Sequence, residues 1–437
     1  MKPFHKSMSC LPILAGIGWA LACGGSTGRA ALVGTNVSAE PLTASRVAAL
    51  PEWKRYFERS LAQRQLDQAG LLSEMKASGL TNAVEPPRSD SPKQIPLTQP
   101  AHWYGTAEAA RIARCVVSFQ TPSGGWGKHT DFTRRLRRPG ELFVGDHNAQ
   151  LALTGKKQTP IVAHWNYVGT IDNDATTTEL RFLAKVISAG QTDTAALQTA
   201  FEKGIRYLLA AQFPNGGWPQ VWPLQGGYHD TVTLNDDAMI NVMKLLREVA
   251  NGQNEFSFVP DELRRQAGES WKRGLDCLLA AQIVANGHRT VWCQQHDAIT
   301  LQPAPARNFE MIAQASAESA NVVLFLMDLP NPNSNIVAAV HAAAAWFEKT
   351  KIEDKAFQRD APDGSKLVNA PGHEPIWARF YEISSDRPLF GDRDKTIHDD
   401  VTDLSAERRQ GYAWYGTFGK KLLEKYPQWA AQHPLNR

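Results

Sequence analysis

The feature that most constrains the fold is a segment that occurs three times along the chain. Its plan is an apolar helix end, a glutamine, a glycine-bearing turn and a tryptophan. The three copies are VVSFQTPSGGWGK (116–128), LLAAQFPNGGWPQ (208–220) and LLAAQIVANGHRTVWCQQ (278–295). Beside these copies the sequence predicts further helices, at 177–189, 237–250 and 317–328. Because alternating β-branched runs are scarce, the pattern predicts an all-α fold, an α/α toroid (a partial α/α barrel) of about three helical hairpins with long loops.

The tryptophans of this repeat have two interpretations. In the structural one, glutamine satisfies open groups at the helix end, glycine permits the turn and tryptophan packs on it. In the other, the flat indole contacts a ligand directly. We favour the structural interpretation for Trp126 and Trp218.

The N-terminus is typical of an export signal. Lys2 and Lys6 precede the apolar stretch LPILAGIGWALA (11–22), which ends in small residues, so residues 1–22 are predicted to be a signal peptide. This stretch is too short to span a bilayer, and no other approaches that length. Cys23 follows directly and would allow a lipid anchor, but Ala20 stands where lipidated signals usually carry leucine, so simple cleavage is favoured. We expect a secreted or periplasmic monomer.

Four regions are predicted after the signal. Residues 23–100 combine a flexible leader (23–39), a helical extension (43–79) and a proline-rich connection, and residues 101–437 form the toroid. A net charge of +3 over 437 residues argues against bulk binding of nucleic acid. Three cysteines outside the signal region, without CxxC spacing, predict buried thiols rather than a disulfide framework or a zinc site.

The stretch TIDNDATTTEL (170–180) crowds polar residues ahead of a helix. Thr176 and Glu179 match a capping box, which predicts that the helix begins just after Thr176. Capping needs one side chain, so Asp172, Asn173 and Asp174 are left without a structural reason.

A second loop repeats the pattern. TLNDDAMINVMKLL places Asn235, Asp236 and Asp237 before another apolar-faced helix. In a stack of helical hairpins the two loops can lie on one face and share a hard cation bound by oxygen ligands. Such close carboxylates would raise each other's pKa unless a cation compensated them. The alternative, two N-cap clusters stabilised by helix dipoles, stays open, and no EF-hand spacing names the cation.

Arginines mark the last third of the chain. Two prolines precede Arg307, and Glu310 follows it, which by itself would be a surface ion pair of little value. Arg379, Arg393 and Arg408 lie among aromatic or acidic residues in loop-like sequence. Clustered guanidiniums suit a ligand with repeated carboxylates, because each can bind one carboxylate with two hydrogen bonds. Ordinary cation–π packing is the alternative, and the residues alone do not separate the two.

At these motifs the sequence resembles the family 10 polysaccharide lyases, which are pectate lyases. The matching stretches are WYGTAEAARIA, GGWGK, TIDNDATTTELRFLAKV, NGGWPQVWPL, TLNDDAMINVMKLL, QQHDAITLQPAPARNFE, IWARFYE and ERRQGYAWY. They follow one order over about residues 103–415, roughly three quarters of the chain, and residues before 100 contribute nothing. The third tryptophan turn, NGHRTVW, departs from the GGW of the first two.

The resemblance implies a calcium-dependent enzyme that cleaves polygalacturonate, the backbone of pectin, within the chain by anti β-elimination. It implies Ca²⁺ as the cofactor, with Asp172, Asn173 and Asp236 in its site and Asp237 as a substitute for Asp236. It also implies an α/α toroid as the catalytic fold.

The resemblance further assigns the arginines. Arg307 is implied as the catalytic base, and Arg379, Arg393 and Arg408 as groups that bind substrate carboxylates. An arginine base is chemically demanding, because its ordinary pKa is above about 12. It would have to be desolvated among other cations, and such an enzyme should favour alkaline pH.

Two other functions compete with this one. KGIRYLLAAQFPNGGW also resembles the glutamine–tryptophan repeat of triterpene cyclases, although an export signal and clustered arginines argue against a hydrocarbon substrate. A non-catalytic pectin-binding protein could use the same cation and arginines.

Overall fold

The computed structural model describes residues 32–81, 84–87, 94–145, 168–190, 194–359, 361 and 364–435. The expected signal peptide (1–22) and Cys23 lie outside them. Eleven α-helices occur in the described part of the chain: α1 (Ala44–Val47), α2 (Pro51–Ala77), α3 (Ala107–Ser118), α4 (Thr177–Ser188), α5 (Thr194–Ala211), α6 (Ala238–Asn251), α7 (Asp261–Ala280), α8 (Ser316–Met327), α9 (Ser334–Thr350), α10 (Ala406–Gln410) and α11 (Lys420–Gln432).

Short strands accompany the helices in the loops. They are β1 (Leu32–Thr35), β2 (Gly169–Thr170), β3 (Val221–Trp222), β4 (Val232–Thr233), β5 (Val284–Ala285), β6 (His288–Arg289), β7 (Gln295–His296), β8 (Pro303–Ala304), β9 (Gln314–Ala315), β10 (Lys355–Gln358), β11 (Lys366–Asn369), β12 (Trp377–Ala378), β13 (Phe380–Tyr381), β14 (Pro388–Gly391), β15 (Thr396–His398) and β16 (Tyr415–Gly416). The sheet with the most strands has five, in the order β1-β15-β14-β13-β9.

The predicted all-α toroid is wrong. Six small sheets lie in the described part of the chain, and their strands pair in antiparallel fashion. The fold is therefore mixed, with a helical layer and several small sheets built from its loops. Each strand has only two to four residues, which is too short to show the alternation by which a sequence reveals a strand.

The helix predictions were more accurate. The segments expected at 177–189, 237–250 and 317–328 are α4, α6 and α8, and each begins within one residue of its expected start. In the helical layer α3, α5, α7 and α9 contact one another in order, and α4 and α6 pack beside them. The turns that begin α4 and α6 touch each other, which brings the two acidic loops side by side.

The glutamine–tryptophan repeat builds the core of this layer. All three tryptophans are fully buried, and each indole N–H donates to a carbonyl of the preceding helix. The pairs are Trp126 with Val116 (2.8 Å), Trp218 with Leu208 (2.8 Å) and Trp292 with Leu278 (2.7 Å). The glutamine amide bridges its own turn to a helix of the next unit, as Gln120 does to Gly124 and to Ala200 of α5 (both 2.8 Å). The structural interpretation of Trp126 and Trp218 is confirmed.

The N-terminal segment belongs to the same body. Residues 32–35, predicted as part of a flexible leader, instead form β1, which pairs with β15. The extension expected at 43–79 is α1 and α2, which are separated just before Pro51. Trp53 and Tyr56 of α2 pack in the main hydrophobic core, and the Tyr56 hydroxyl donates to the Ala211 carbonyl (2.9 Å).

Two further predictions concern cysteines and membranes. Cys115, Cys277 and Cys293 are buried free thiols, as expected. Among the residues that the structure describes, no helix has the length and apolar character that a membrane span requires.

Candidate active site

The two acidic loops form matching 3-10 turns, Asp172–Asp174 and Asn235–Asp237. Each turn holds two consecutive non-glycine residues in the left-handed region, with φ of 51° and 62° in the first and 50° and 58° in the second. Such backbone conformations persist only where the surrounding structure enforces them, and they concentrate at functional sites. The turns are joined directly, because the Asn173 amide donates to Asp236 Oδ2 (3.2 Å).

The last aspartate of each turn has a structural partner. Asn241 of α6 donates to Asp174 Oδ1 (2.6 Å), and Asn321 of α8 donates to Asp237 Oδ2 (3.0 Å). Each turn is thereby fastened to the helix of the next unit. Asp236 lines the open cleft instead, so the geometry favours Asp236 over Asp237 as the residue available to a ligand.

The two cleft-facing carboxylates differ in charge balance. Asp172 is buried, which opposes its ionisation, but the positive charges of Lys128 (Nζ to Oδ2, 2.5 Å) and Arg307 hold its pKa below the usual value. Asp172 Oδ1 is buried and has no hydrogen-bond partner among the described residues. Burial, and next the negative charge of Asp172, raise the pKa of Asp236. A bound cation would oppose this mutual repulsion and favour the ionised form of Asp236.

The capping box is only half correct. Helix α4 does begin at Thr177, but the Thr176 hydroxyl does not cap it. That hydroxyl accepts from the Trp126 amide (2.9 Å) and donates to the Thr170 carbonyl (2.8 Å), which ties the acidic loop to the tryptophan turn. Burial raises the pKa of Glu179 to about 8, although the backbone amides of Glu179 and Thr176 oppose the shift.

Arg307 is clamped by Glu310. Its Nε donates to Glu310 Oε2 (2.7 Å), its Nη2 donates to Oε1, and its backbone amide also donates to Oε2 (3.1 Å). Glu310 is 2% exposed, so this is not the surface pair considered above. Burial opposes both charges, yet each partner favours the other: the pKa of Glu310 falls to about 2, and that of Arg307 rises well above its usual value.

Two aromatic rings gather the predicted arginines. The guanidinium carbons of Arg408, Arg307 and Arg393 lie 4.2, 4.8 and 5.4 Å from the centre of the Phe309 ring. Arg379 lies 4.8 Å from the centre of the Tyr412 ring. Cation–π packing is therefore present, and it orients the guanidiniums of Arg307, Arg393 and Arg408 at the wall of the cleft.

These arginines differ in how well their charge is compensated. Arg393 forms two hydrogen bonds with Glu407 (2.7 and 2.9 Å), and Arg379 pairs with the buried Glu318. Arg408 is 4% exposed, and one of its nitrogens, Nη2, donates to the Gly411 carbonyl (2.6 Å). Burial, helped by the charges of Arg393 and Arg307, lowers the pKa of Arg408. Arg408, whose Nη2 also lies 3.7 Å from Glu407 Oε1, is thus a buried cation that can take up an incoming carboxylate.

The acidic turns and the arginines face one cleft of about 690 Å³. Six predicted residues line it: Asp172, Asn173, Asp236, Arg307, Arg393 and Arg408. Arg379 does not line it and lies against Tyr412. A larger cavity of about 1020 Å³ beside α6 and α7 contains none of the predicted residues.

Sequence reasoning missed several residues of the cleft. Lys128 closes the GGWGK motif and pairs with Asp172; a lysine directly after the tryptophan turn was the available signal. Tyr412, within ERRQGYAWY, donates to Glu310 Oε1 (2.8 Å). Tyr228 lines the cleft and stacks on buried His229, which burial, with Lys128, keeps neutral by lowering its pKa to about 3. No pattern in the sequence marked Tyr228.

Comparison with known proteins identifies the family of this chain. The family described as pectic acid lyase matches residues 120–423. A family 10 polysaccharide lyase from Cellvibrio cellulosa is 32% identical and aligns with a TM-score of 0.63 over 77% of this chain and 97% of that chain. An aspartate-to-alanine mutant of such a lyase from the same organism, in complex with trigalacturonic acid, aligns over the same shares at 32% identity with a TM-score of 0.62. No curated protein sequence matches significantly. This chain belongs to the pectic acid lyase family, the family 10 polysaccharide lyases, and is a lyase that acts on polysaccharide.

Proposed function

We propose that the protein is a calcium-dependent pectate lyase that cleaves polygalacturonate within the chain by anti β-elimination. The observation that carries the proposal is the cleft itself, which sets two carboxylates and an amide opposite three arginines. Polygalacturonate repeats a carboxylate on every sugar, so one polymer can meet both the cation site and the guanidiniums. A similar protein with trigalacturonic acid in its complex supports this substrate class.

The residues present suit calcium. Asp172 Oδ1 is buried without a hydrogen-bond partner among the described residues, and the Asn173 amide nitrogen is used by Asp236, which leaves the Asn173 carbonyl oxygen as a ligand. No group of three or more His, Cys, Asp or Glu side chains that could hold a metal occurs in the described part of the chain. Asp172 and Asp236 supply only two carboxylates, so together with Asn173 they would hold the ion with the help of water or substrate oxygens, which would complete the six to eight ligands that calcium typically takes.

The chain's own groups account for the rest of the reaction. Arg408 and Arg393, which line the cleft, bind and orient carboxylates of the substrate, whereas Arg379 does not line the cleft and packs against Tyr412. Arg307 takes the proton from C5, the electron pair forms the C4–C5 double bond, and the C4–O bond breaks with its electrons leaving on the glycosidic oxygen, which takes up a proton. When bound, the calcium ion supplies positive charge that stabilises the negative charge developing at the substrate carboxylate.

The clamp on Arg307 sets the pH requirement of this scheme. Glu310 stabilises the protonated guanidinium, so the neutral form that can accept a proton is rare near neutral pH. The neighbouring cations Arg408 and Arg393 act in the opposite direction. Activity should therefore rise with pH through the alkaline range, as the neutral fraction of Arg307 increases.

The alternatives make different predictions for one assay. Purified protein is incubated with polygalacturonate, with and without a calcium chelator, while ultraviolet absorbance of the unsaturated product and viscosity are followed. We expect absorbance to rise, viscosity to fall early as internal cleavage requires, and both changes to stop with chelator and return with added Ca²⁺. Product that forms in the presence of chelator would refute the calcium dependence. The absence of any product would favour the alternative of a non-catalytic pectin-binding protein.

Location is part of the same proposal. A polysaccharide polymer such as polygalacturonate stays outside the cell, which agrees with an export signal at residues 1–22 and a secreted or periplasmic enzyme. Detection of a mature chain beginning near residue 23 in the extracellular or periplasmic fraction tests it.

A further inference from the structure

The loop that carries Arg307 is held by a residue near the N-terminus. The two N–H groups of the Asn36 side-chain amide are shared among the carbonyl oxygens of Arg307 (3.2 Å), Asn308 (3.0 Å) and Glu310 (3.1 Å), all within hydrogen-bond distance of Nδ2. Asn36 is 8% exposed, so this contact is made inside the protein and away from competing water. One amide group thereby contacts the backbone at both residues of the Arg307–Glu310 ion pair.

The same residue reaches the hairpin that carries Arg393. The backbone amide of Asn36 donates to the Lys395 carbonyl (2.7 Å), at the end of the β1–β15 pairing. The hairpin and the Arg307 loop are also joined directly, because Asn308 Nδ2 donates to the Arg393 carbonyl (2.8 Å). Asn36 therefore lies at a junction of two loops that each supply an arginine to the cleft.

A second contact from the N-terminal segment holds the same stretch of chain. Arg46 of α1 donates to both carboxylate oxygens of Asp297 (3.0 and 2.8 Å). Asp297 in turn accepts from the backbone amides of Ile299 and Thr300 (3.1 and 2.9 Å), in the turn that leads from β7 to β8 and on to Arg307. Asn36 and Arg46, both in residues 32–47, thus hold the stretch of chain that leads into the active site.

We propose that Asn36 is a positioning residue for the Arg307–Glu310 pair, so that a segment preceding the family match at residue 120 is an integral part of the active site. Asn36 does not touch substrate; it fixes the backbone from which Arg307 projects. The catalytic part of this inference rests on the proposed function, because it takes Arg307 to act on the C5 proton. A displacement of about 1 Å at such a group can cost about a hundredfold in rate.

The test uses two variants of the full chain, Asn36→Asp and Asn36→Ala. Asp keeps the shape of Asn but, when ionised, offers no donor and repels three carbonyl oxygens; Ala removes the group. We expect kcat on polygalacturonate to fall roughly 10- to 100-fold with KM changed less than about threefold, since Arg307 acts in the transition state rather than in binding. Amide hydrogen exchange should increase in residues 305–312 and in the 391–396 hairpin, and not in α2 or α5.

Tyr56→Phe is the matched control. It removes another buried hydrogen bond of the N-terminal segment, from the Tyr56 hydroxyl to the Ala211 carbonyl, far along the chain from Arg307. We expect a comparable drop in melting temperature with kcat within about twofold of the wild type. If all three variants lose kcat only in proportion to their loss of stability, or if the Asn36 variants keep both kcat and local exchange, the positioning role is refuted.

The two proposals fail separately. If the wild-type protein shows no lyase activity, the proposed function is wrong, whereas the exchange measurement still decides whether Asn36 holds the loop. If the wild type is active and exchange at residues 305–312 is unchanged in Asn36→Asp, only the positioning role is wrong.

Discussion

Replacing Glu310 by Gln tests whether Arg307 is the base. The substitution keeps the shape and an acceptor for the guanidinium but removes the charge that stabilises it. Loss of an opposite charge in hydrogen-bond contact typically moves a pKa by about 1–3 units, so the pKa of Arg307 should fall by that amount. At 1.36 kcal/mol per unit this corresponds to about 1–4 kcal/mol of lost pairing. The lower half of that range is the better expectation, because the Arg307 side chain is 33% exposed.

The sign of the effect follows directly. A base with a lower pKa becomes neutral at lower pH, so the alkaline rise of activity in Glu310→Gln should begin about 1–2 pH units below that of the wild type. The measurement is kcat as a function of pH at saturating polygalacturonate and Ca²⁺. Absolute rates can fall, because the clamp also orients Arg307, but the midpoint of the profile is insensitive to such a loss.

Glu318→Gln is the control for this shift. It removes another buried carboxylate paired with an arginine, Arg379, which does not line the cleft and is not assigned to proton transfer. The pH profile of Glu318→Gln should therefore keep the wild-type midpoint. A Glu310→Gln enzyme whose rate falls equally at every pH, with the midpoint unmoved, would refute Arg307 as the titrating base.

The remaining predictions concern the cation, the substrate and stability. Asp236→Asn should lower kcat at least about 100-fold and weaken calcium binding measured by calorimetry, whereas Asp237→Asn, at the residue bonded to Asn321, should retain calcium affinity within about tenfold; equal losses would contradict the assignment of Asp236. Arg408→Lys should raise KM for trigalacturonate roughly tenfold, since an ammonium cannot bind a carboxylate in bidentate fashion, and an unchanged KM would exclude a carboxylate contact there. The stability of Glu179→Gln relative to the wild type should increase as pH rises from about 5 to about 8, and no further. The pKa of Glu179 is raised in the folded state, so the wild-type protein loses stability across this window as the unfolded chain ionises first, whereas Gln does not titrate. Urea unfolding at pH 5, 8 and 9 checks this change, of about 2–4 kcal/mol, and a pH-independent difference would refute it.

The helices and the surplus acidic residues could be predicted because their signals are local. The periodicity of α4, α6 and α8 lies within a dozen or so residues, and their starts were correct to within one residue. Asp172 and Asp236 stood out because each loop carried more carboxylates than capping requires. Which aspartate faces the cleft was not predictable, since it depends on Asn241 and Asn321 in the helices of the next unit.

The fold class was mispredicted for a physical reason. A strand of two residues, such as Gln295–His296, is stabilised by its partners in space and not by its own composition, so no window of sequence reveals it. The Arg307–Glu310 pair was visible as a spacing, but its strength was not. Spacing says nothing about burial, and burial is what turns a weak surface contact into a coupled ion pair.

Sequence alone determined the repeat, the positions of the main helices and the family, because these follow from patterns within contiguous motifs. Tertiary structure alone decided that the two acidic turns meet, that the arginines gather on Phe309 and Tyr412, and that Asn36 holds the Arg307 loop from more than 270 residues away. Such contacts depend on distance and burial, which the folded chain creates and the order of residues does not display.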